Sequence, residues 1–252
     1  VFRGVVKSFL NVRGLLRRSV LWTESDDAFD WTLPRVAVVP DLVDEEWAEG
    51  RGCYYTQFYG MPIVRYESII LAFLQVFRCT AGPTVLALDA PSPEGTIDVQ
   101  LVSSRDGRRW DRVGDRTTVL ERGAEGEWDW GMVMTGASIV LDGDVVRAYY
   151  GGFSYSHGGH PPRGVPKTSA VGFATWPRDR FVGMRSGAAG GEMLVVQRGS
   201  GAELHVNADA AGGTLVAEIV GDGGPAPGFE ASSCVPMRED SLDHVVRWQG
   251  DP

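Results

Sequence analysis

Several features are scarce in this 252-residue sequence. Cysteine occurs three times, at Cys53, Cys79 and Cys234, and no two of these form a C-x-x-C pair. This spacing argues against a structural zinc site or a disulfide framework, although a single disulfide stays open. Basic residues are outnumbered, with 24 against 33 acidic residues and a net charge of −9. The acidic balance argues against nucleic acid or an anionic membrane as the main partner.

Long apolar stretches and helical periodicity are missing as well. The longest apolar run covers residues 69–77, is interrupted by Gln75, and is too short to span a bilayer. No 3.6-residue apolar period continues for three turns. Instead, 33 glycines and 14 prolines mark many turns, and 43% of the residues are apolar, which is enough for a sizeable core. The sequence therefore predicts an all-β, turn-rich globular fold.

A repeated pattern organises the chain as far as Phe181: a short alternating strand, a turn with aspartate, and a large aromatic residue. The three copies end at Trp31, Trp110 and Phe181, at intervals of about 70 to 80 residues. Aspartate accepts hydrogen bonds from turn amides, and Asp106-Gly107 supplies the positive φ that a tight hairpin needs. We expect the aromatic residue to pack over its hairpin.

Further strands precede each copy of the pattern. An apolar strand comes before every copy, at 5–12, 69–77 and 145–153, and two copies have another strand ahead of it, at 54–66 and 131–141. This predicts two full four-stranded units and one unit without its first strand. Four strands at such a period are typical of β-propeller blades.

The chain changes character after residue 182. Turns rich in glycine and alanine separate short alternating strands, predicted at 193–198, 203–207, 214–220 and 244–248. Such a series is typical of a small antiparallel β-sandwich. The sequence thus predicts a partial, about three-blade β-propeller at 1–182, with its first blade incomplete, followed by a C-terminal β-sandwich at 183–252.

Some motifs resemble a known family. They are the unit ending in Ser104-x-Asp106-Gly107-x-x-Trp110, the segment Trp-Asp-Trp-Gly-Met at 128–132, and Tyr-Tyr-Gly-Gly at 149–152 followed by a histidine. The chain resembles the five-bladed propellers of glycoside hydrolase families 43 and 32, most of all an uncharacterised bacterial branch with a C-terminal β-sandwich. Segments 204–210, 227–229 and 246–248 are similar to that sandwich. The resemblance implies a carbohydrate ligand, while the acidic charge balance is what argues against nucleic acid and membrane as partners.

The chain also departs from that family. The family's catalytic carboxylates, an Asp base, a second Asp and a Glu acid, lie on innermost strands of the first three blades. This sequence resembles the outer part of blade three, then blades four and five, so no residue matches those three positions. Three blades do not close a five-bladed ring, which leaves open a fragment, a ring completed by a second chain, or a remodelled ring.

These considerations leave alternative functions open. One is a glycoside hydrolase-like, carbohydrate-active chain that is inactive on its own. Another is a non-catalytic carbohydrate-binding or structural module. A third is self-association, a homo-oligomer formed through open blade edges, because unpaired sheet edges recruit other chains.

Two carboxylates are candidate catalytic residues, since glycoside hydrolysis needs a pair of carboxyl groups on either side of the sugar. Glu67 lies where the strand at 54–66 turns into the next, and Asp129 lies between Trp128 and Trp130. Each also fits a structural role, Glu67 in a surface turn and Asp129 as the cap of its own loop. The acidic residues Asp44, Glu45, Glu46 and Glu49 predict a solvated loop.

Other residues are candidates for binding a sugar through aromatic faces or hydrogen bonds: Gln57, Tyr59, Arg65, Trp128, Trp130 and His157. Packing and backbone hydrogen bonding are the alternatives for Gln57 and Tyr59. The resemblance implies a histidine near the propeller centre in the last blade, and His157, in the Gly/Pro-rich loop 154–166, is our choice for it.

Cofactors and other active-site motifs are not indicated. The resemblance implies that this histidine sometimes helps to hold a structural metal ion, but the spacing His157-x-x-His160 is a weak metal signal by itself. No metal site and no other cofactor is therefore predicted. Phosphate-loop, dinucleotide and nucleophile-elbow motifs are missing from the sequence.

Overall fold

The computed structural model describes residues 1–50, 52–81, 93–196 and 203–250. Within them lie many strands, one α-helix, α1 (Leu42–Glu49), and a 3₁₀ turn at Gly114–Arg116. The predicted all-β class is confirmed. None of the helices in these residues has the length and apolar character needed to cross a membrane.

The chain divides into two compact units. The first comprises Val1–Asp142 with Val146–Thr175, and the second comprises Gly143–Val145 with Trp176–Pro252. The boundary at residue 182, the arrangement of blades around a shared axis and the C-terminal sandwich stay predictions.

Strands are numbered along the chain. The earlier ones are β1 (Phe2–Val12), β2 (Leu15–Ser25), β3 (Arg35–Val38), β4 (Tyr55–Gly60), β5 (Ile63–Tyr66), β6 (Ile69–Ala81), β7 (Glu94–Ser104), β8 (Asp111–Arg112), β9 (Thr118–Leu120), β10 (Met132–Asp142), β11 (Val145–Phe153) and β12 (Ser169–Pro177). The later ones are β13 (Leu204–Asp209), β14 (Val220–Gly221), β15 (Gly224–Pro225) and β16 (Asp240–Val246).

The first sheet contains β1, β2 and β3 in that order. β1 and β2 pair antiparallel over their whole length, from Phe2 opposite Ser25 to Val12 opposite Leu15. Arg13 and Gly14 turn the chain between them, both with positive φ, as two-residue hairpin turns that follow the twist of the strands require.

The second sheet has the order β12-β11-β10-β7-β6-β4, with β5 paired to β6, and β8 and β9 paired to β7. Strands β6 and β7 form its centre, and their apolar side chains, such as Phe77 and Ile97, are fully buried. The single strand predicted at 54–66 is wrong. It divides into β4 and β5 at Met61-Pro62, because proline has no amide hydrogen to continue the ladder.

The turns with aspartate have the predicted hydrogen bonds. Ser104 Oγ accepts from the amides of Asp106 and Gly107, and Asp106 Oδ1 accepts from the amides of Arg108 and Arg109. The first copy of the repeat, at residues 25–30, makes the same four bonds. The first two copies of the sequence repeat therefore also share the geometry of this turn.

The acidic residues predicted to form a solvated loop lie in helix α1 instead. Asp41 is the N-cap, and its side chain accepts from the amides of Val43 and Asp44, while the Asp44 side chain accepts from the Asp41 amide. Asp44 is 2% exposed and pairs with Arg112. The signal for this helix was the Asp41-x-x-Asp44 capping box.

The second unit contains two small antiparallel pairs, β13 with β16 and β14 with β15. Its core consists of Cys234, Met237, Val246 and Trp248. The strands predicted at 203–207 and 244–248 correspond to β13 and to the end of β16. The strand predicted at 214–220 is wrong, because only a bridge from Leu215 to Met237 and the short β14 form there. Residues 193–196 form no strand, and 197–198 lie outside the described residues.

Candidate functional site

Strand register brings several predicted site residues to one end of the second sheet. Gln57 lies opposite Phe77, Phe77 opposite Ile97, and Ile97 opposite Met132, across four neighbouring strands. The amide of His157 donates to the backbone at the start of β7, at 2.8 Å. The loop 154–166 therefore lies over this end of the sheet.

Six side chains meet there, and we call them the cationic aromatic cluster: Lys7, Arg18, Gln57, Tyr59, Phe77 and His157. Tyr59 is at its centre and is partly exposed. Its ring centroid lies 5.3 Å from that of His157, 4.1 Å from Lys7 Nζ and 5.3 Å from Arg18 Cζ. Two cations on an aromatic ring are a favourable cation–π arrangement.

Gln57 holds Arg18 in place. Its Oε1 accepts from the Arg18 backbone amide at 3.1 Å and from Arg18 Nη1 at 2.9 Å. Gln57 is only 2% exposed. Its oxygen therefore orients the guanidinium, and a direct bond from this oxygen to a ligand is not what the contacts favour.

The His157 side chain is held by a hydrogen bond and by contact with an aromatic ring. Its Nδ1 lies 2.8 Å from the Pro93 carbonyl, to which it donates, and its ring centroid lies 4.6 Å from that of Phe77. Burial lowers the pKa of His157, and the nearby charges of Arg18 and Lys7 lower it further, whereas the Pro93 carbonyl opposes the shift. The imidazole is therefore neutral near pH 7.

A metal ion near His157 is implied by the family resemblance alone. Within the described ranges, no three histidine, cysteine, aspartate or glutamate side chains are grouped so that they could hold a metal ion. His160 Nδ1 lies 2.7 Å from Glu94 Oε2, which places one carboxylate beside this loop.

The segment around Asp129 forms a second group, the Trp-Asp-Tyr cluster of Trp128, Asp129 and Tyr150. The Tyr150 hydroxyl donates to Asp129 Oδ2 at 2.9 Å, and Asp129 is 7% exposed. Trp128 stacks on Tyr150 with centroids 5.6 Å apart, and 37% of Trp128 is exposed. Burial, together with the bond to Asp129, raises the pKa of Tyr150 to about 12, so this hydroxyl stays a donor.

Trp130 contributes its backbone. Its carbonyl accepts a hydrogen bond from Arg122 Nη1, and the Trp130 residue is partly buried. The sugar-binding role of the Trp130 side chain stays a prediction.

Glu67 and Arg65 lie elsewhere. Both are exposed, and Glu67 has a φ of 49° in the turn between β5 and β6. That turn lies beside the C-terminal end of β7, because Ile70 pairs with Ser104. Asp129 lies just before Met132, which pairs with Ile97 near the N-terminal end of β7. The offset between Ile97 and Ser104 corresponds to about 23 Å along the strand. Glycosidase carboxyl pairs are about 5 to 9.5 Å apart, so Glu67 and Asp129 are too distant to act as a pair.

Lys7 and Arg18 were missed by the sequence reasoning. A signal was present, because Lys7 alternates with Val5 and Phe9 in β1 and so shares their face. A charged residue on an apolar face is an informative exception. The contact of this face with Tyr59 joins residues that are far apart in the sequence, so a local sequence pattern does not predict it.

A separate groove of about 570 Å³ lies beside the start of α1. Its charged residues are Asp41, Asp111, Arg112, Asp115 and Arg116. Three of them, Asp41, Arg112 and Arg116, are engaged in ion pairs with one another or with Asp44. Such a self-compensated network favours a structural role, and the chemistry of the cationic aromatic cluster makes that cluster the stronger candidate.

Comparison with known proteins gives matches in structure only. No protein-family model and no curated protein matches the sequence. An N-acetylgalactosamine deacetylase from F. plautii, in complex with blood group B trisaccharide, is similar over 71% of this chain and 48% of its own, with 14% identity and a TM-score of 0.47. A glycoside hydrolase is similar over 69% of this chain and 40% of its own, with 12% identity and a TM-score of 0.42. The chain spans about half or less of the length of these two proteins.

Proposed function

We propose that this is a carbohydrate-active, glycoside hydrolase-like protein that binds a saccharide at the cationic aromatic cluster, without hydrolysing it through the described residues. The observation that carries the proposal is the partly exposed Tyr59 ring, with Lys7 and Arg18 around it. Aromatic surface with a few convergent polar groups is the usual make-up of a small-ligand site.

The separation of Glu67 from Asp129 favours binding over hydrolysis. Asp129 is also occupied, since it accepts the Tyr150 hydroxyl bond in a buried setting. A carboxylate that is satisfied in this way fits its alternative role as a structural anchor.

Titration calorimetry with a panel of neutral and acidic disaccharides tests this function. Wild-type protein is expected to bind at least one member, and Tyr59→Leu to weaken that binding about tenfold, which corresponds to 1.4 kcal/mol. Tyr149→Leu is the matched control, because Tyr149 is an exposed tyrosine of β11 outside the cluster. No binding to any member, or equal losses in both variants, contradicts the proposal. Release of reducing sugar from a bound member contradicts the absence of hydrolysis.

Self-association through a sheet edge is a second candidate function. In the described part of the chain, β1 has a hydrogen-bonded strand on one side only, and its side chains Phe2 and Val6 are 53% and 42% exposed. Long apolar edge strands are templates for pairing with another chain. Light scattering after size-exclusion chromatography should show a dimer that Val6→Lys converts to monomer, whereas a monomeric wild type contradicts this candidate.

A further inference from the structure

Arg18 differs from most of the other buried and half-buried arginines in the kind of partner it has, and it shares a neutral partner with Arg122, which donates to a backbone carbonyl. Four of them form ion pairs with carboxylates: Arg17, Arg78, Arg112 and Arg116. Arg18 is hydrogen-bonded to the neutral amide oxygen of Gln57 instead. Within the described ranges no carboxylate is in ion-pair contact with Arg18, although its guanidinium is half-buried against the rings of Phe9 and Tyr59.

Lys7 adds a second positive charge to the same place. Lys7 and Arg18 both lie over the Tyr59 ring, and no described carboxylate is in ion-pair contact with Lys7 either. Burial lowers the pKa of Lys7, and repulsion from Arg18 lowers it further. Two adjacent cations that are partly removed from water are unfavourable until an anion joins them.

The positive cluster is local, since the whole chain has a net charge of −9. General attraction of polyanions to the surface is therefore not expected. An anion that binds here has to be recognised by Lys7 and Arg18 themselves, at short range and in a fixed geometry.

We propose that the cationic aromatic cluster binds the carboxylate of an acidic saccharide, a sugar of the hexuronic acid class. Arg18 presents its guanidinium to the carboxylate, in the manner that makes arginine the preferred partner of planar anions. Lys7 supplies a second charge-assisted hydrogen bond, and Tyr59 contacts the sugar ring. This inference rests on the proposed saccharide binding and specifies the ligand class.

Calorimetric titration with the disaccharide of galacturonic acid and with its methyl ester tests the inference. The ester keeps the sugar but removes the negative charge. We expect wild-type protein to bind the acid at least about tenfold more tightly than the ester, as a charge-assisted hydrogen bond predicts. Lys7→Gln and Arg18→Gln should each weaken binding of the acid more than binding of the ester, and so remove most of this preference.

Arg105→Gln is the matched control, since Arg105 is an exposed arginine just beyond the far end of β7. It removes one positive charge, as the other two variants do, and should keep the full preference for the acid. Thermal unfolding shows whether each variant folds, and Lys7→Gln, which replaces an exposed residue, keeps the test valid should Arg18→Gln unfold.

The outcomes separate the two proposals. Equal affinity for acid and ester, or an equal loss in Arg105→Gln and Lys7→Gln, overturns the carboxylate inference and leaves saccharide binding intact. Binding of neutral disaccharides alone does the same. A protein that binds neither these probes nor any member of the neutral and acidic panel overturns the proposed function itself.

Discussion

Arg78 and Asp98 form an ion pair across β6 and β7 inside the second sheet. Arg78 Nε and Nη2 each lie 3.3 Å from one oxygen of Asp98, and the two residues are 2% and 7% exposed. Burial lowers the pKa of Arg78, and the charge of Asp98 opposes this shift. The attraction between the two charges offsets the cost of removing them from water. Each residue therefore needs the other to stay charged in the buried sheet.

Asp98→Asn should therefore cost about 3–5 kcal/mol of unfolding free energy, because it leaves the Arg78 charge buried without its carboxylate. The control is Glu24→Gln, which breaks the more exposed pair of Glu24 with Arg108 and should cost less than about 1 kcal/mol. Urea unfolding followed by tryptophan fluorescence measures both. Equal losses would show that burial does not decide the strength of these pairs.

The lowered pKa of Asp41 predicts that the free energy of unfolding decreases in acid. The hydrogen bonds from Arg116 lower the pKa of Asp41 from 3.8 to about 2. Its folded pKa lies below its unfolded pKa, so its contribution is complete above about pH 4 and is lost as the pH falls towards 2. Solvent screening limits the effect to about 1 kcal/mol, because the Asp41 side chain is 48% exposed.

The measurement is the unfolding free energy of wild type and Asp41→Asn at pH 5, 4, 3 and 2. The asparagine keeps the helix cap but has no charge to titrate. The difference between the two proteins should shrink across this window. A difference that stays constant from pH 5 to pH 2 would exclude titration of Asp41 as the cause.

The two repeated turns have different residues at the position with positive φ, and exchanging these residues is predicted to have opposite effects on stability. Gly107 has a φ of 70°, and an added Cβ would lie 2.5 Å from Arg3 Cδ. Ala28 holds the matching position with a φ of 69°. Because the left-handed region costs an alanine about 1 kcal/mol, Gly107→Ala should destabilise the protein by about 1–2 kcal/mol and Ala28→Gly should stabilise it slightly.

Thermal and urea unfolding of the two single variants check this prediction. A result in which Ala28→Gly destabilises as much as Gly107→Ala would mean that chain entropy outweighs backbone strain at both turns. The shared Ser and Asp hydrogen bonds make the two sites comparable.

Strands could be predicted where polar and apolar residues alternate along a short segment and turn-forming residues flank that segment. β11 has the bounds expected for it at 145–153, and β10 starts within one residue of its prediction. Helix α1 was not predicted, because its 8 residues form only about two turns, which is too short for a helical period of apolar residues to be recognised. Pro62 broke the strand predicted at 54–66, although proline in a strand is itself a warning.

The candidate site was only partly predictable. Gln57, Tyr59 and His157 were selected, and the structure brings all three together. Lys7 and Arg18 were not, because their role depends on how β1 and β2 pack beside β4. Such long-range contacts follow from tertiary packing and have no signature in sequence spacing.

The Trp-Asp-Tyr cluster predicts that Tyr150 stabilises the fold through its hydroxyl. Tyr150→Phe keeps the stacking on Trp128 but leaves Asp129 buried without this donor, which should cost about 1–3 kcal/mol. Tyr149→Phe is the control, since Tyr149 is 45% exposed and adjacent in β11, and it should change stability by less than about 0.5 kcal/mol.

Urea unfolding of both variants and disaccharide binding of Tyr150→Phe complete this test. If Asp129 is a structural anchor, Tyr150→Phe lowers the unfolding free energy and leaves saccharide affinity at the cationic aromatic cluster unchanged. Stability equal to that of Tyr149→Phe, together with weakened saccharide binding, would instead assign the Trp-Asp-Tyr cluster to the ligand site. The exposed ring of Trp128 makes this second outcome a real alternative, and the pair of measurements separates the two roles.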